Sequence, residues 1–246
     1  KVYDLPEGQR TGKGKALVNL LNLDGEERVT AVIPVREFRP DRYLFFATRG
    51  GTVAKMALDE FSRPRQTGIN AINLRDDDEL VDVKATDGNQ ELILTTRFGQ
   101  SLRFHEETVR PVHRNAMGVR GIRLRNGDAL QAISVVEEDH LLTITEQGFG
   151  KRTEFDEFRG HGRGTMGVRN IVVDARGGSV IGSMAVSDDD EIIVMSASGI
   201  VIRTKVSEIS IQKRGTRGVR IMRLDDGDRV IGFTILDSEE EDGEEA

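Results

Sequence analysis

The chain has 246 residues and no cysteine, and its 42 acidic and 35 basic side chains give a net charge of −7 at pH 7. The missing cysteines exclude disulfides and thiolate metal sites and suit a reducing compartment, so we expect a cytoplasmic protein. Because no apolar run approaches the ~20 residues of a membrane span, we expect no membrane contact.

A unit of about fifty residues recurs five times along the chain. Each copy carries an anchor glycine preceded by basic residues, and consecutive anchor glycines are 54, 50, 49 and 51 residues apart. The anchor glycines are Gly14, Gly68, Gly118, Gly167 and Gly218. A fixed period of this length is typical of propellers, solenoids and arrays, so we expect one repeated architecture.

Each unit contains a predicted hairpin around a second glycine, which we call the turn glycine. The first strands of these hairpins are predicted at Tyr43–Thr48, Glu91–Thr96, His140–Thr145 and Glu191–Ser196. The turn glycines that follow them are Gly51, Gly99, Gly148 and Gly199. Two β-rich segments joined by a short glycine-bearing turn predict a hairpin. Some of these strands are apolar on consecutive residues, which predicts burial on both faces.

A polar connector, a basic segment through the anchor glycine, a third strand, an acidic turn and a fourth strand complete each unit. Four short strands per unit, without helical periodicity, predict an all-β ring of about five to six four-stranded antiparallel blades. Lys1 precedes Gly14 by 13 residues, as Lys55 precedes Gly68. The chain therefore begins within a hairpin, and we expect one blade to be incomplete.

The basic segments through the anchor glycines carry the functional signal. Glycine lets a backbone approach phosphate closely, and arginine and lysine neutralise phosphates and release counterions. Repeated around a ring, these segments predict a basic rim that binds duplex DNA without reading its bases. The predicted DNA-binding cations are Arg10, Lys13, Lys15, Lys55, Arg65, Arg103, Arg114, Arg120, Arg123, Arg152, Arg163, Arg169, Arg203, Lys213, Arg214, Arg217 and Arg220. The alternative assigns the glycines to turns and the arginines to pairs with the acidic turns.

Four of these cations, Lys55, Arg103, Arg152 and Arg203, stand four residues after a turn glycine, and we predict equivalent places for them in the blades. No catalytic or metal site is predicted. Residues 8–13 (GQRTGK) lack the spacing of a Walker motif, and the four histidines lack metal-ligand spacing. We therefore expect no cofactor in this chain.

The chain resembles the C-terminal domain of the DNA gyrase A subunit. The resemblance spans residues 1–236 and is carried by the repeated R-x-T-x-G-V-R pattern and by the opening YDLPEGQRTGKGKALVNLLNLDGEERVTAVI. It implies a β-pinwheel, a propeller variant with a different strand order, that wraps DNA in a type IIA topoisomerase. It also implies two partners: the remainder of the gyrase A subunit, and the gyrase B subunit that this remainder contacts. Cleavage by a tyrosine and ATP-dependent supercoiling would depend on those other parts.

The family's signature heptad is Q-[RK]-R-G-G-[RK]-G. Its nearest match is the box-like segment, which departs from the pattern at one position. The box-like segment consists of Gln212, Lys213, Arg214, Gly215, Thr216, Arg217 and Gly218. Residues 9–14 (QRTGKG) are one residue short, so two places stay open for the heptad: the box-like segment itself, or a segment before Lys1. Two alternatives remain open, the C-terminal domain of topoisomerase IV and a propeller that acts as a protein-interaction scaffold.

The C-terminal end is strongly acidic. Residues 237–246 (DSEEEDGEEA) hold seven acids and no base, which leaves 35 acids and 35 bases on residues 1–236. Terminal acidic blocks are usually disordered. We therefore divide the chain into a β-pinwheel over 1–236 and a disordered acidic tail over 237–246. The tail either competes with DNA for the basic rim or only aids solubility.

Overall fold

The computed structural model describes residues 21, 23, 27–65 and 67–236. Within these residues the fold is all-β, as predicted, with 15 strands and four 3-10 helices of three or four residues. The strands are β1 Tyr43–Thr48, β2 Thr52–Ala57, β3 Leu80–Thr86, β4 Glu91–Thr96, β5 Gln100–His105, β6 Val119–Arg120, β7 Leu130–Val135, β8 His140–Thr145, β9 Phe149–Glu154, β10 Val168–Arg169, β11 Val180–Val186, β12 Glu191–Ser196, β13 Val201–Lys205, β14 Val219–Arg220 and β15 Val230–Leu236. The 3-10 helices are Leu58–Phe61, Glu106–Thr108, Phe155–Glu157 and Val206–Glu208. Among the described residues, no helix has the length and apolar character that a membrane crossing demands.

The strands form four antiparallel sheets, each built on one of the predicted hairpins. Their strand orders are β3-β1-β2-β6, β10-β5-β4-β7, β11-β8-β9-β14 and β13-β12-β15. The four first strands predicted from the sequence coincide residue for residue with β1, β4, β8 and β12. The repeat therefore predicted the hairpins correctly, because a hairpin is specified by neighbouring residues and a tight turn.

The two-residue strands β6, β10 and β14 lie outside the blade of their own unit, and we call them straps. Strap β6 follows hairpin β4–β5 in the chain but pairs with β2, which belongs to the preceding hairpin. Straps β10 and β14 likewise pair with β5 and β9. In the described part of the chain no strap pairs with β13, so the last blade has three strands. One blade of the described residues is thus incomplete, and it is the last one; the hairpin expected to be cut at Lys1 lies outside the described residues.

The sheets follow one another in an arc. The last strand of each unit contacts the last strand of the next, so that β7 lies between β3 and β11, and β11 also contacts β15. In each four-stranded sheet the strap occupies the opposite edge. Because the last strands converge on one side of the arc, the straps lie along its outer perimeter.

Apolar side chains fill the space between neighbouring sheets. Between the first two blades, Phe45, Leu92, Leu94 and Phe104 are fully buried in one cluster. A second cluster, which includes Leu142 and Val194, lies between the last two blades. Hairpin strands are thus covered on both faces, which explains their runs of consecutive apolar residues.

The anchor glycines hold the straps against the preceding hairpins. Gly118, Gly167 and Gly218 have φ values of +73°, +67° and +86°. A Cβ atom on them would lie 2.4, 2.3 and 2.3 Å from a backbone carbonyl oxygen of the preceding hairpin. At Gly68, with a φ of +77°, a Cβ would meet nothing within 4 Å. Only glycine therefore permits the close strap contact, whereas Gly68 needs glycine for its φ alone.

Gly167→Ala should destabilise the domain more than Gly68→Ala. Both substitutions place a Cβ in the left-handed region, at a cost of about 1–2 kcal/mol. Only at residue 167 does the Cβ also overlap the Ser101 carbonyl oxygen, so the loss there should reach about 3 kcal/mol or more. Urea unfolding followed by far-ultraviolet circular dichroism measures both losses. Equal losses would mean that the strap shifts freely to accept the methyl group.

Candidate nucleic-acid interface

The four cations that follow the turn glycines occupy equivalent blade positions, as predicted. Across their hairpins they pair with one residue each of β1, β4, β8 and β12. The pairs are Lys55 with Phe45, Arg103 with Ile93, Arg152 with Leu142, and Arg203 with Ile193. For Lys55, Arg103 and Arg152, however, the structure gives a role other than the DNA contact that the sequence suggested.

Lys55 lies inside a junction between two blades. Its side chain is 4% exposed, and its Nζ lies 3.1 Å from Oε2 of Glu106, which is fully buried at the start of the next unit's 3-10 helix. Glu106 also accepts hydrogen bonds from Thr86 Oγ1 at 2.8 Å and from Gln90 N at 2.9 Å. The ion pair with Glu106 offsets the cost of burying the Lys55 ammonium, so Lys55 joins two blades. The prediction that Lys55 contacts DNA is corrected accordingly.

Arg152 and Arg103 make the same kind of junction. Arg152 is buried, forms an ion pair with Asp188, and donates from Nε to the Ile209 carbonyl oxygen at 2.6 Å. Arg103 forms an ion pair with Glu91 and donates to the Phe155 carbonyl oxygen at 2.8 Å. Their guanidinium groups therefore bind the next blade, and the predicted DNA contact is corrected for them too.

Arg203 holds the same position at the end of the arc. Its side chain is 67% exposed and forms an ion pair with Glu191 on its own hairpin. Among the described residues no further blade follows to cover it. Its exposure therefore reflects the end of the described arc, and a DNA contact by Arg203 stays a prediction.

The second residue of each strap is an exposed arginine on the outer perimeter. These three arginines, which we call the strap arginines, pair in register with residues at the start of the second hairpin strand. They are Arg120 opposite Thr52, Arg169 opposite Gln100, and Arg220 opposite Phe149. Within the described ranges none of them lies within 4.0 Å of a carboxylate. The described blades therefore carry three arginines without an ion-pair partner, at equivalent points along the outer perimeter.

A second set of arginines stands four residues before the anchor glycines and links successive loops. Each donates to the carbonyl oxygen of the second residue after the preceding anchor glycine. The bonds are Arg114 to Asn70 at 3.3 Å, Arg163 to Arg120 at 3.1 Å, and Arg214 to Arg169 at 3.5 Å. Arg163 and Arg214 are exposed and Arg114 is half-buried. These arginines both tie the loops together and add positive charge beside the straps.

The box-like segment presents only part of its charge to solvent. Lys213 and Arg214 are exposed, and Arg214 Nε lies 3.9 Å from the Glu157 carboxylate. Arg217 is half-buried in an ion pair with Asp174, which holds the pKa of that carboxyl below its usual range. Of the box-like cations, Lys213 and Arg214 are therefore the two placed to meet a ligand.

The remaining predicted cations divide by location. Arg65 and Arg123 are exposed, and their DNA contact stays a prediction. Arg10, Lys13, Lys15 and the acidic tail lie outside the described residues. Sequence reasoning missed the exposed Arg223, although it stands five residues after Gly218, as Arg123 stands five after Gly118. That shared register was the signal that could have found it.

The described part of the chain contains no group of three or more histidine, aspartate and glutamate side chains that could hold a metal ion. Three of its four histidines, His105, His113 and His140, each lie beside a different carboxylate. The candidate site is the row of exposed cations on the perimeter.

Comparison with known proteins gives matches over the whole domain. A family model described as "DNA gyrase C-terminal domain, beta-propeller" matches five segments, residues 1–36, 42–87, 90–137, 139–187 and 190–237. Over 234 residues the chain is 45% identical to the DNA gyrase A subunit of Salmonella typhimurium, in a match that covers 95% of this chain and 27% of that protein. Identity to the DNA gyrase A subunit of Escherichia coli K12 is 44%, with the same coverage. The chain thus spans about a quarter of these relatives.

Two solved structures share the fold. A DNA gyrase A C-terminal domain has a TM-score of 0.83 at 27% identity, covering 91% of this chain and 75% of that one. A C-terminal domain of DNA topoisomerase IV has a TM-score of 0.88 at 28% identity, covering 96% and 74%. Both similarities support the β-pinwheel architecture.

Proposed function

Because the chain belongs to the DNA gyrase C-terminal domain family, we propose that its outer perimeter binds duplex DNA and bends it around the arc of blades. The observation that carries the proposal is the row of strap arginines Arg120, Arg169 and Arg220, which are exposed and unpaired within the described ranges. Equivalent cations spaced along one edge suit a phosphate backbone, since phosphate contacts position DNA irrespective of its sequence.

Binding of this kind should be nearly indifferent to DNA sequence. The perimeter presents two-residue straps and loops, and the described residues offer no helix long enough to lie in a major groove. Bending a short duplex by 40–90° costs on the order of 1–6 kcal/mol. Contacts on successive blades offset that cost, so wrapping requires several blades at once.

In the whole protein, the bound DNA would be delivered to the remainder of a gyrase A subunit, which would connect it to a gyrase B subunit. The domain would support ATP-dependent negative supercoiling in the cytoplasm without supplying catalytic residues or a cofactor. A topoisomerase IV domain is the second candidate, supported by the TM-score of 0.88. The 44–45% identity to gyrase A proteins favours gyrase.

Titration of a fluorescently labelled duplex at several salt concentrations tests binding. We expect equal affinities for unrelated sequences and a plot of log affinity against log salt with a slope of about −0.9 for each phosphate neutralised. Linking-number analysis of circular DNA relaxed in the presence of the protein tests wrapping. Absence of binding at low salt would refute the proposal, whereas binding without a linking-number change would refute wrapping alone.

A further inference from the structure

Lys151 is a fully buried lysine in the third blade, on β9. Its Nζ donates to the carbonyl oxygen of Asn170 at 2.9 Å and to that of Lys213 at 2.7 Å. Within the described ranges no carboxylate lies within 4.0 Å of it. The equivalent residues, third after the turn glycine in the other hairpins, are all apolar: Ala54, Leu102 and Ile202. A buried cation at this position is therefore particular to the third blade.

The two carbonyl groups belong to successive units. Asn170 directly follows strap β10 and is fully buried, and its carbonyl oxygen also accepts a hydrogen bond from Gly215 N at 2.6 Å. Lys213 lies in the box-like segment, whose first residue, Gln212, accepts a hydrogen bond from Thr153 Oγ1 at 3.0 Å. Through these two hydrogen bonds, Lys151 connects the box-like segment to the residue that follows the preceding strap.

The charge of Lys151 has little local compensation. Burial lowers the pKa of its ammonium to about 8, with Glu157 raising this pKa and Arg214 lowering it. Glu157 faces it from the 3-10 helix and Arg214 from the box-like segment. The adjacent strand contributes Thr143, which pairs with Lys151 and carries no charge. The ammonium is therefore stabilised mainly by two neutral carbonyl groups.

We propose that Lys151 is a positioning residue that holds the box-like segment in the shape that presents Lys213 and Arg214 to phosphate, and that DNA binding there is coupled to uptake of a proton by Lys151. The coupling rests on the proposed function, whereas the positioning can be tested without DNA. A phosphate beside the segment favours the charged form of a nearby lysine and raises its pKa.

The sign of the pH dependence follows from this shift. Above about pH 8 the free protein has partly lost the Lys151 proton, and the complex, with its higher pKa, retains it. Binding therefore takes up protons, and affinity falls as pH rises from about 8. One coupled proton sets a limit of about tenfold in affinity per pH unit.

Lys151→Met tests the proposal, with Leu102→Met as the matched control at the same position of the second blade. We expect the affinity of Lys151→Met for a 40-base-pair duplex to fall about tenfold at pH 7 and to become less dependent on pH between 7.5 and 9.5. Hydrogen exchange of residues 212–216 without DNA should accelerate in Lys151→Met and stay unchanged in Leu102→Met. Unchanged exchange together with a wild-type pH profile would overturn the proposal.

Lys151→Arg keeps the positive charge throughout this pH range and covers the case in which Lys151→Met does not fold. The DNA affinity of Lys151→Arg should therefore not show the fall above about pH 8 that we expect in the wild type. A wild-type pH profile in Lys151→Arg would also overturn the coupling. Failure of the wild-type protein to bind DNA at any pH would instead refute the proposed function, and the exchange measurement would still decide the positioning.

Discussion

Replacing the strap arginines Arg120, Arg169 and Arg220 together by alanine should lower the affinity for duplex DNA by about 10²–10³-fold at 50 mM salt. The plot of log affinity against log salt should become shallower by about 2.7, since each lost phosphate contact removes about 0.9 from its slope. The loss should be the same for all duplex sequences, because phosphate contacts carry no base information.

The fold should tolerate this triple substitution. The strap arginines take part in the sheets through their backbones, and their side chains are exposed. Arg220 additionally lies over the Phe149 ring at 5.4 Å, a contact worth about 0.5–1 kcal/mol at an exposed site. A change in DNA binding can therefore be separated from unfolding by measuring circular dichroism on the same sample.

A matched control removes three other arginines, two exposed and one half-buried, each of which is paired with a carboxylate. Arg39, Arg49 and Arg97 lie beside Asp41, Glu79 and Glu146, respectively. Their triple replacement by alanine makes the same change in net charge but leaves the straps intact, so the salt slope should change little. Equal losses in the two triple variants would show that net charge, and not the perimeter row, determines binding.

Lys55→Met should lower the free energy of unfolding by about 3–5 kcal/mol, because it leaves the buried Glu106 without its cation. Arg203→Met, at the equivalent position, should lower it by less than about 1 kcal/mol, because the Arg203 side chain is 67% exposed. Urea unfolding measures both values. Under conditions in which Lys55→Met remains folded, its DNA affinity should match the wild type.

The double variant Lys55→Met with Glu106→Gln provides the control for this pair. It should be more stable than the sum of the two single losses predicts, because neither charge is then left alone in the junction. Equal losses for Lys55→Met and Arg203→Met would contradict the assignment of Lys55 to the junction. A large loss of DNA affinity in folded Lys55→Met would restore its role as a DNA contact.

The sequence by itself determined the repeated unit, the four hairpins and the equivalence of Lys55, Arg103, Arg152 and Arg203. These features are local, since a hairpin needs only alternating or apolar β-rich runs and a glycine with positive φ between them. The resemblance carried by the R-x-T-x-G-V-R pattern led to the correct family and fold. The predictions made for residues 1–20 and 237–246 stay predictions, because these residues lie outside the described ranges.

Only the tertiary structure decided which cations face solvent. Lys55 and Arg120 both lie in basic, β-rich segments, but Lys55 enters a blade junction while Arg120 sits on a strap. The strap that carries Arg120 pairs with a hairpin about 67 residues earlier in the chain, and no local sequence pattern specifies this pairing. Lys151 could have been noticed as the one cation at a position that is otherwise apolar. Its partners remained hidden, because they are backbone carbonyl groups, which every residue carries and which only the packing of successive units brings to one point.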